Sequence, residues 1–169
     1  LVGSEMCIRD SVGAFRKLPT NLQLMTVHAL QSIVFNKSLQ RRLDEGLPLS
    51  RPVVGDVVGR IDEKSQLDVN SCVVVNDRTL NRIGRNCDLG RLMTTGPLPG
   101  SEITTSEGMP GELEGATIVA EGLSDVSWNV EAIPRLSSKG TRRGLVAEFN
   151  EFSVDTVPIA DGTTLDKRW

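Results

Sequence analysis

The stretch "NLQLMTVHALQSIVFNKSLQRRLDE", from about Asn21 to Glu45, constrains the fold of this chain more than any other feature. Pro19, Thr20 and Asn21 offer a helix start with a hydroxyl or amide cap. From Leu22 to Val34 the apolar residues Leu22, Met25, Val27, Ala29, Leu30, Ile33 and Val34 spread over much of the helix circumference, the pattern of a buried helix. Further on, Phe35, Leu39 and Leu43 narrow to an i, i+4, i+8 stripe, with Lys37, Arg41 and Arg42 facing away from it. Gly46 stands where a left-handed terminator belongs, and Pro48 forbids continuation. The remaining elements must therefore pack around one long helix.

Those elements are short. "LPLSRPVVGDVVGRID" is extended by composition, since Pro48 and Pro52 restrict their predecessors and the Val pairs suit strands broken by Gly55 and Gly59. "SCVVVND" reads as another strand, and "RTLNRIGRNCDLGRLM" holds a short helix weakened by Gly84 and Gly90. "TTGPLPGSEITTSEGMPGELEG" has loop chemistry throughout, and "ATIVAEG" is a strand candidate. "SSKGTRRGLVAEFNEFSVDTVPI" begins as a basic turn and becomes strand-like. Leu145, Ala147 and Phe149 share one parity and Phe152 and Val154 the other, so a bulge or tight turn is expected at Asn150–Glu151. The class is α/β of the α+β kind, one long helix with mixed short strands.

Composition narrows the function classes. With 169 residues, 38% of them hydrophobic, the chain fits one domain or parts of two. Aromatic residues make up 4% and Tyr is absent, so the core must rest on Val, Leu and Ile. A net charge of −3 argues against a generic nucleic-acid coat but leaves room for a local basic site. No run approaches the ~18 apolar residues of a membrane span, and the isolated thiols of Cys72 and Cys87 suit a reducing compartment. The expectation is a soluble, cytoplasmic chain with no membrane partner. There is no phosphate-binding G-x-x-x-x-G-K-[ST], no G-x-G-x-x-G and no C-x-x-C. His28, the single histidine, lies mid-helix among apolar neighbours, where a packed, hydrogen-bonded role outweighs that of a catalytic base.

The opening "LVGSEMCIRD" forms neither a helical stripe nor a strand alternation. It is similar to one reading frame of a transposase-type sequencing adapter, CTC-GTG-GGC-TCG-GAG-ATG-TGT-ATA-AGA-GAC, whose trailing AG permits Ser or Arg next, and Ser11 fits. Residues 1–11 are accordingly read as an artefactual segment outside the fold, with the protein's own sequence continuing upstream.

"LSSKGTRRGL", Leu136 to Leu145, stands out chemically. Gly140 permits a tight turn, and Lys139, Arg142 and Arg143 project cationic donors from one short loop that can hold phosphate by charge and bidentate contact. A solvated basic turn would look the same. "LMTVHALQSIVFNKSLQRRLDEGLPLSRPVVGDVV" resembles the archaeal branch of the tRNA pseudouridine synthase D (TruD) family, whose helix reads roughly V-H-A-x-Q-S-x-x-F-N-x-x-L. His28, Ala29, Gln31, Ser32, Phe35, Asn36 and Leu39 fill that pattern, with Leu30 where Tyr is frequent. "TTGPLPG" followed by "GMPGELE" is similar to the family's T-G-P-L-x-G…G-x-x-G-E-x-E segment. "SSKGTRRGL" is similar to its late G-x-R-R-x-L motif, with Gly144 where Pro is common.

The resemblance implies an isomerase that converts a uridine of tRNA, at position 13, to pseudouridine without metal or cofactor. An aspartate attacks the flipped uridine or its ribose, and the base detaches, rotates and rejoins through carbon. It implies residues 12–132 as an insertion module, incomplete at its N-terminal edge, and residues 133–169 as a truncated return to the catalytic domain. The nucleophilic Asp belongs to a motif upstream of the long helix that nothing here matches. Asp44, Asp56 and Asp62 are read as surface or turn carboxylates, and no catalytic residue is assigned. The chain alone is expected to be inactive, lacking the N-terminal half of its catalytic domain and exposing the apolar surface that half would cover. Lys139, Arg142 and Arg143 are the candidate RNA-binding residues, with His28, Gln31 and Asn36 as scaffold. Two other readings stand beside this one: a non-catalytic RNA-binding module, and a β-rich interaction domain whose arginines meet a carboxylate partner.

Overall fold

In a computed structural model of the protein, the structure describes residues 11–62 and 66–147. The short helix α1 (Ser11–Arg16) leads into the long helix α2 (Thr20–Asp44), followed by β1 (Val57–Ile61), β2 (Leu67–Val74), α3 (Leu80–Asp88), β3 (Leu92–Leu98), α4 (Gly108–Ala120), a 3-10 turn at Pro134–Leu136 and β4 (Thr141–Gly144). The strands form one sheet in the order β2-β1-β3-β4, every pairing antiparallel. The α+β expectation holds. The sheet crosses the expected boundary at residue 132, because β4 pairs with β3 through Thr95↔Gly144, Gly96↔Arg143, Pro97↔Arg142 and Leu98↔Thr141.

The long helix ends as its sequence predicts. Gly46 adopts φ 69°, its N–H donates to Leu43 O at 3.0 Å, and the Leu47 N–H donates to Arg42 O at 3.0 Å. Those two bonds are the paired closure of a glycine-terminated helix. The start differs from expectation: Pro19 occupies the cap position and no side-chain cap bond forms. Gln23 instead ties the preceding segment to the helix, its Nε2 donating to Leu18 O at 2.6 Å and to Arg16 O at 3.3 Å.

The buried face of α2 also departs from the apolar pattern. Its buried residues are Gln23, Gln31, Val34, Phe35, Ser38 and Arg42, a stripe at helical spacing that mixes amides, a hydroxyl and a guanidinium with two hydrophobes. Leu22, Met25, Leu30 and Ile33 are 48%, 61%, 38% and 41% exposed, and Leu43 is exposed as well. The helix is thus buried on one side only, against β3 and α4. His28 and Asn36, expected to be packed scaffold, are solvent-facing. Arg42, expected outside, is buried because Asp56 meets it: Nη1–Oδ1 is 2.6 Å and Nη2–Oδ2 2.8 Å. Asp56 Oδ2 also accepts from the Val53 N–H at 2.7 Å, and Arg42 Nε and Nη2 both donate to Pro48 O. The Asp56 carboxylate, expected at the surface or in a turn, is therefore a buried tie between the end of α2 and the start of β1.

Two further expectations are revised. "TTGPLPG" is mostly strand and "GMPGELEGATIVA" is all helix, so the long loop shrinks to about residues 99–107 and "ATIVA" is not a strand. Thr117, fully buried, returns its hydroxyl to Leu113 O at 2.9 Å, which lets a β-branched run complete a helix whose inner face is covered. The short helix predicted in "RTLNRIGRNCDLGRLM" is α3, where Ile83 joins Val58 and Val75 in a core flanked by Leu80, Cys87 and Leu92. The parity switch expected at Asn150–Glu151 lies outside the described residues.

Candidate nucleic-acid interface

The basic segment is held by a backbone crossing. Gly100 ends the "TTGPLPG" segment and Gly140 precedes β4. A Cβ on Gly100 would stand 1.9 Å from Gly140 N, and one on Gly140, whose φ is 77°, would stand 2.6 Å from Gly100 N. Side chains at either position would separate the two strands of chain. Their approach is fixed by Ser101 N–H to Ser138 O at 3.0 Å and Glu102 N–H to Lys139 O at 2.9 Å. From α2, Gln31 Nε2 donates to Pro99 O and to Ser138 Oγ, each at 2.8 Å. Gln31 thus does the scaffold work expected of it.

Beyond the crossing, strand geometry separates the three cations that the sequence groups in one loop. Successive side chains of β4 leave opposite faces, so Arg142 and Arg143 part company. Arg142 is 4% exposed. Its guanidinium takes Glu114 bidentate, Nη2–Oε1 at 2.8 Å and Nη1–Oε2 at 3.0 Å. It also donates to Thr95 O at 2.8 Å, Thr95 Oγ1 at 3.1 Å, Ser106 Oγ at 3.1 Å and Thr104 O at 3.3 Å. With its donors committed, Arg142 presents no charge to solvent.

Arg143 is exposed, its Cζ 5.1 Å from the centroid of the Phe35 ring. The stack positions the guanidinium without consuming its N–H donors. Lys139 is also exposed and meets Glu102 at 3.0 Å, both side chains largely in water. That pair is open to exchange with a polyanion, because exposed ion pairs contribute little. The displayed cations at this edge are Lys139 and Arg143.

The four sequence segments that carry the family resemblance meet here. Thr95 comes from "TTGPLPG", Glu114 from "GMPGELE" and Arg142 from "SSKGTRRGL", and their side chains form one hydrogen-bonded group. Gln31 and Phe35 of the helix motif hold the crossing and Arg143. Sequence reasoning missed Glu114, Thr95 and Ser106. The available signal was the pair of carboxylates in "GELE", Glu112 and Glu114, with no nearby basic residue in the sequence to pair with either.

Other chemistry is limited. Cys72 and Cys87 are free, and burial pushes both thiols up from their ordinary range, so they stay protonated at neutral pH. Among the described residues, no group of three or more His, Cys, Asp or Glu side chains is placed to hold a metal. No described helix is long and apolar enough to cross a membrane. Asp44 is exposed and accepts from Gln40 Nε2 at 2.8 Å, and Asp62 accepts from the Gln66 N–H at 2.8 Å.

Comparison with known proteins gives a consistent result. The family described as tRNA pseudouridine synthase D (TruD) matches residues 6–164, a span that starts inside the segment assigned to an adapter. A Methanosarcina mazei protein named "Probable tRNA pseudouridine synthase D" is 41% identical over 139 residues, 82% of this chain and 32% of that protein. A Halobacterium salinarum protein of the same name is 35% identical over 157 residues, 90% of this chain and 35% of that one. A crystal structure described as "Putative tRNA pseudouridine synthase D (TruD)", from Methanosarcina mazei, superposes with a TM-score of 0.75 at 38% identity, covering 84% of this chain and 33% of that one. The chain spans about a third of the length of these relatives.

Proposed function

The chain belongs to the tRNA pseudouridine synthase D (TruD) family, and on that premise we propose that it is one section of an enzyme that isomerises uridine to pseudouridine in tRNA, at position 13. The observation that carries this reading is the convergence of the resembling segments on Arg142, with Lys139 and Arg143 displayed beside it. A family motif spent on scaffold and flanked by exposed cations suits an element that positions an RNA backbone.

In this reading the aspartate nucleophile comes from the rest of the enzyme. Asp56 is committed to Arg42, and the chain alone turns over no substrate. Isomerisation conserves every atom of the uridine, so the reaction consumes no co-reactant, and the family resemblance implies neither metal nor cofactor. Residues 12–132 are the insertion module and residues 133–169 the return to the catalytic domain, joined here through β3 and β4. The setting is cytoplasmic, where tRNA is available.

The test pairs binding with turnover. Purified chain is incubated with tRNA, affinity is followed against salt, and pseudouridine is mapped by carbodiimide labelling and primer extension. Salt-sensitive binding without conversion is expected. Conversion by the chain alone would overturn the assignment of the nucleophile to another segment, and absence of binding at low salt would overturn the RNA role.

A further inference from the structure

We infer that α3 carries a second RNA-binding surface, separate from the β4 edge, that holds backbone phosphates; the inference rests on the tRNA reading above. The helix has two faces. Leu80, Ile83 and Cys87, at i, i+3 and i+7, pack into the core with Val58, Val75 and Leu92. On the opposite side Arg82 and Arg85 are exposed, and Arg78, on the turn that leads into the helix, is exposed as well.

The charge continues past the helix. Arg91, on the turn into β3, and Arg60, near the end of β1, are exposed and line a concavity with Ile61, Asn86 and Leu92. Asn86 connects this concavity to Arg82, its Nδ2 donating to Arg82 O at 2.8 Å. None of the five guanidinium groups has an ion-pair or hydrogen-bond partner among the described residues.

The acids close by are Asp77, exposed beside Arg78 in the chain, Asp88 and Asp68. Asp88 is gripped by Arg51 at 2.9 and 2.7 Å. Asp68, opposite Arg60 across β1 and β2, accepts from the Asn70 N–H at 3.1 Å. Residues 77–91 hold four arginines and two aspartates in a chain of net charge −3, so the cluster is not a by-product of basic composition. Arginine at each of the five positions, with no lysine among them, suits the bidentate geometry of phosphate oxygens.

The experiment measures tRNA binding by the 169-residue chain between 50 and 200 mM salt, comparing the parent with Arg78→Gln/Arg82→Gln/Arg85→Gln and with Lys139→Gln/Arg143→Gln. Loss of three phosphate contacts should flatten the log K against log salt slope by about two units and weaken low-salt binding about tenfold or more. The thermal melt should stay unchanged, since the side chains are exposed and unpaired. Arg78→Lys/Arg82→Lys/Arg85→Lys should keep most of the slope. Arg82→Glu alone serves if the triple variant fails to fold, and should lower the slope by about one unit. A triple variant with the parent slope, while Lys139→Gln/Arg143→Gln weakens binding, would overturn the α3 surface and leave the tRNA reading standing. Absence of parent binding would overturn both. Poly-glutamate bound as tightly as tRNA, and lost equally in the triple variant, would replace RNA with an acidic protein partner.

Discussion

Arg142 and Arg143 are neighbours of identical chemistry with opposite roles, and the difference is measurable. Removing the Arg142 guanidinium strands the Glu114 carboxylate beside Thr95 and Ser106 in a largely buried site. Arg142→Met is expected to cost about 3–5 kcal/mol, the usual range for breaking one partner out of a buried pair. Arg143→Ala should cost about 1 kcal/mol or less, the value of an exposed cation over a ring. Urea unfolding of both variants checks the contrast, and equal losses would contradict it. The sequence shows two adjacent arginines after a glycine, which identifies a cationic segment. Which of them faces inward depends on Glu114, twenty-eight residues away in the chain. Arg42 and Asp56 repeat the pattern, since a guanidinium placed outside by apolar periodicity is drawn in by a carboxylate on the next element.

At the level of elements, glycine positions separate local from tertiary constraint. Gly46 has a left-handed φ and open space where a Cβ would stand, whereas Gly140 has both a left-handed φ and backbone atoms that a Cβ would approach within 3.0 Å. Gly46→Ala should therefore cost about 1–2 kcal/mol, the strain of a left-handed alanine. Gly140→Ala should lose that and the Gly100 crossing as well, giving the larger drop in melting temperature. Comparable melting temperatures for the two variants would show that the crossing tolerates a methyl group. The end of α2 was legible because the terminator acts within one turn of helix. "ATIVA" was not, because its β-branched residues favour a strand locally and only burial of Thr117 against the rest of the molecule reverses that preference.

The molecule as a whole leaves Leu22, Met25, Leu30 and Ile33 on the outer side of α2, in a chain that spans about a third of its relatives. Apolar residues gathered on one helix face form a patch that a hydrophobic dye can report. The native chain is expected to bind such a dye, and Met25→Glu/Ile33→Glu should reduce the signal without lowering the melting temperature. Unchanged dye binding would place the exposed surface elsewhere. Sequence by itself determined the long helix and its stop, the α+β class, the short helix α3 and the family, because each of these follows from local backbone preference or from the order of motifs. The tertiary structure decided which face of α2 is buried, which arginine is displayed and that "ATIVA" is helical. Those outcomes depend on partners distant in the chain, and a buried charge or amide is stable only where such a partner satisfies it.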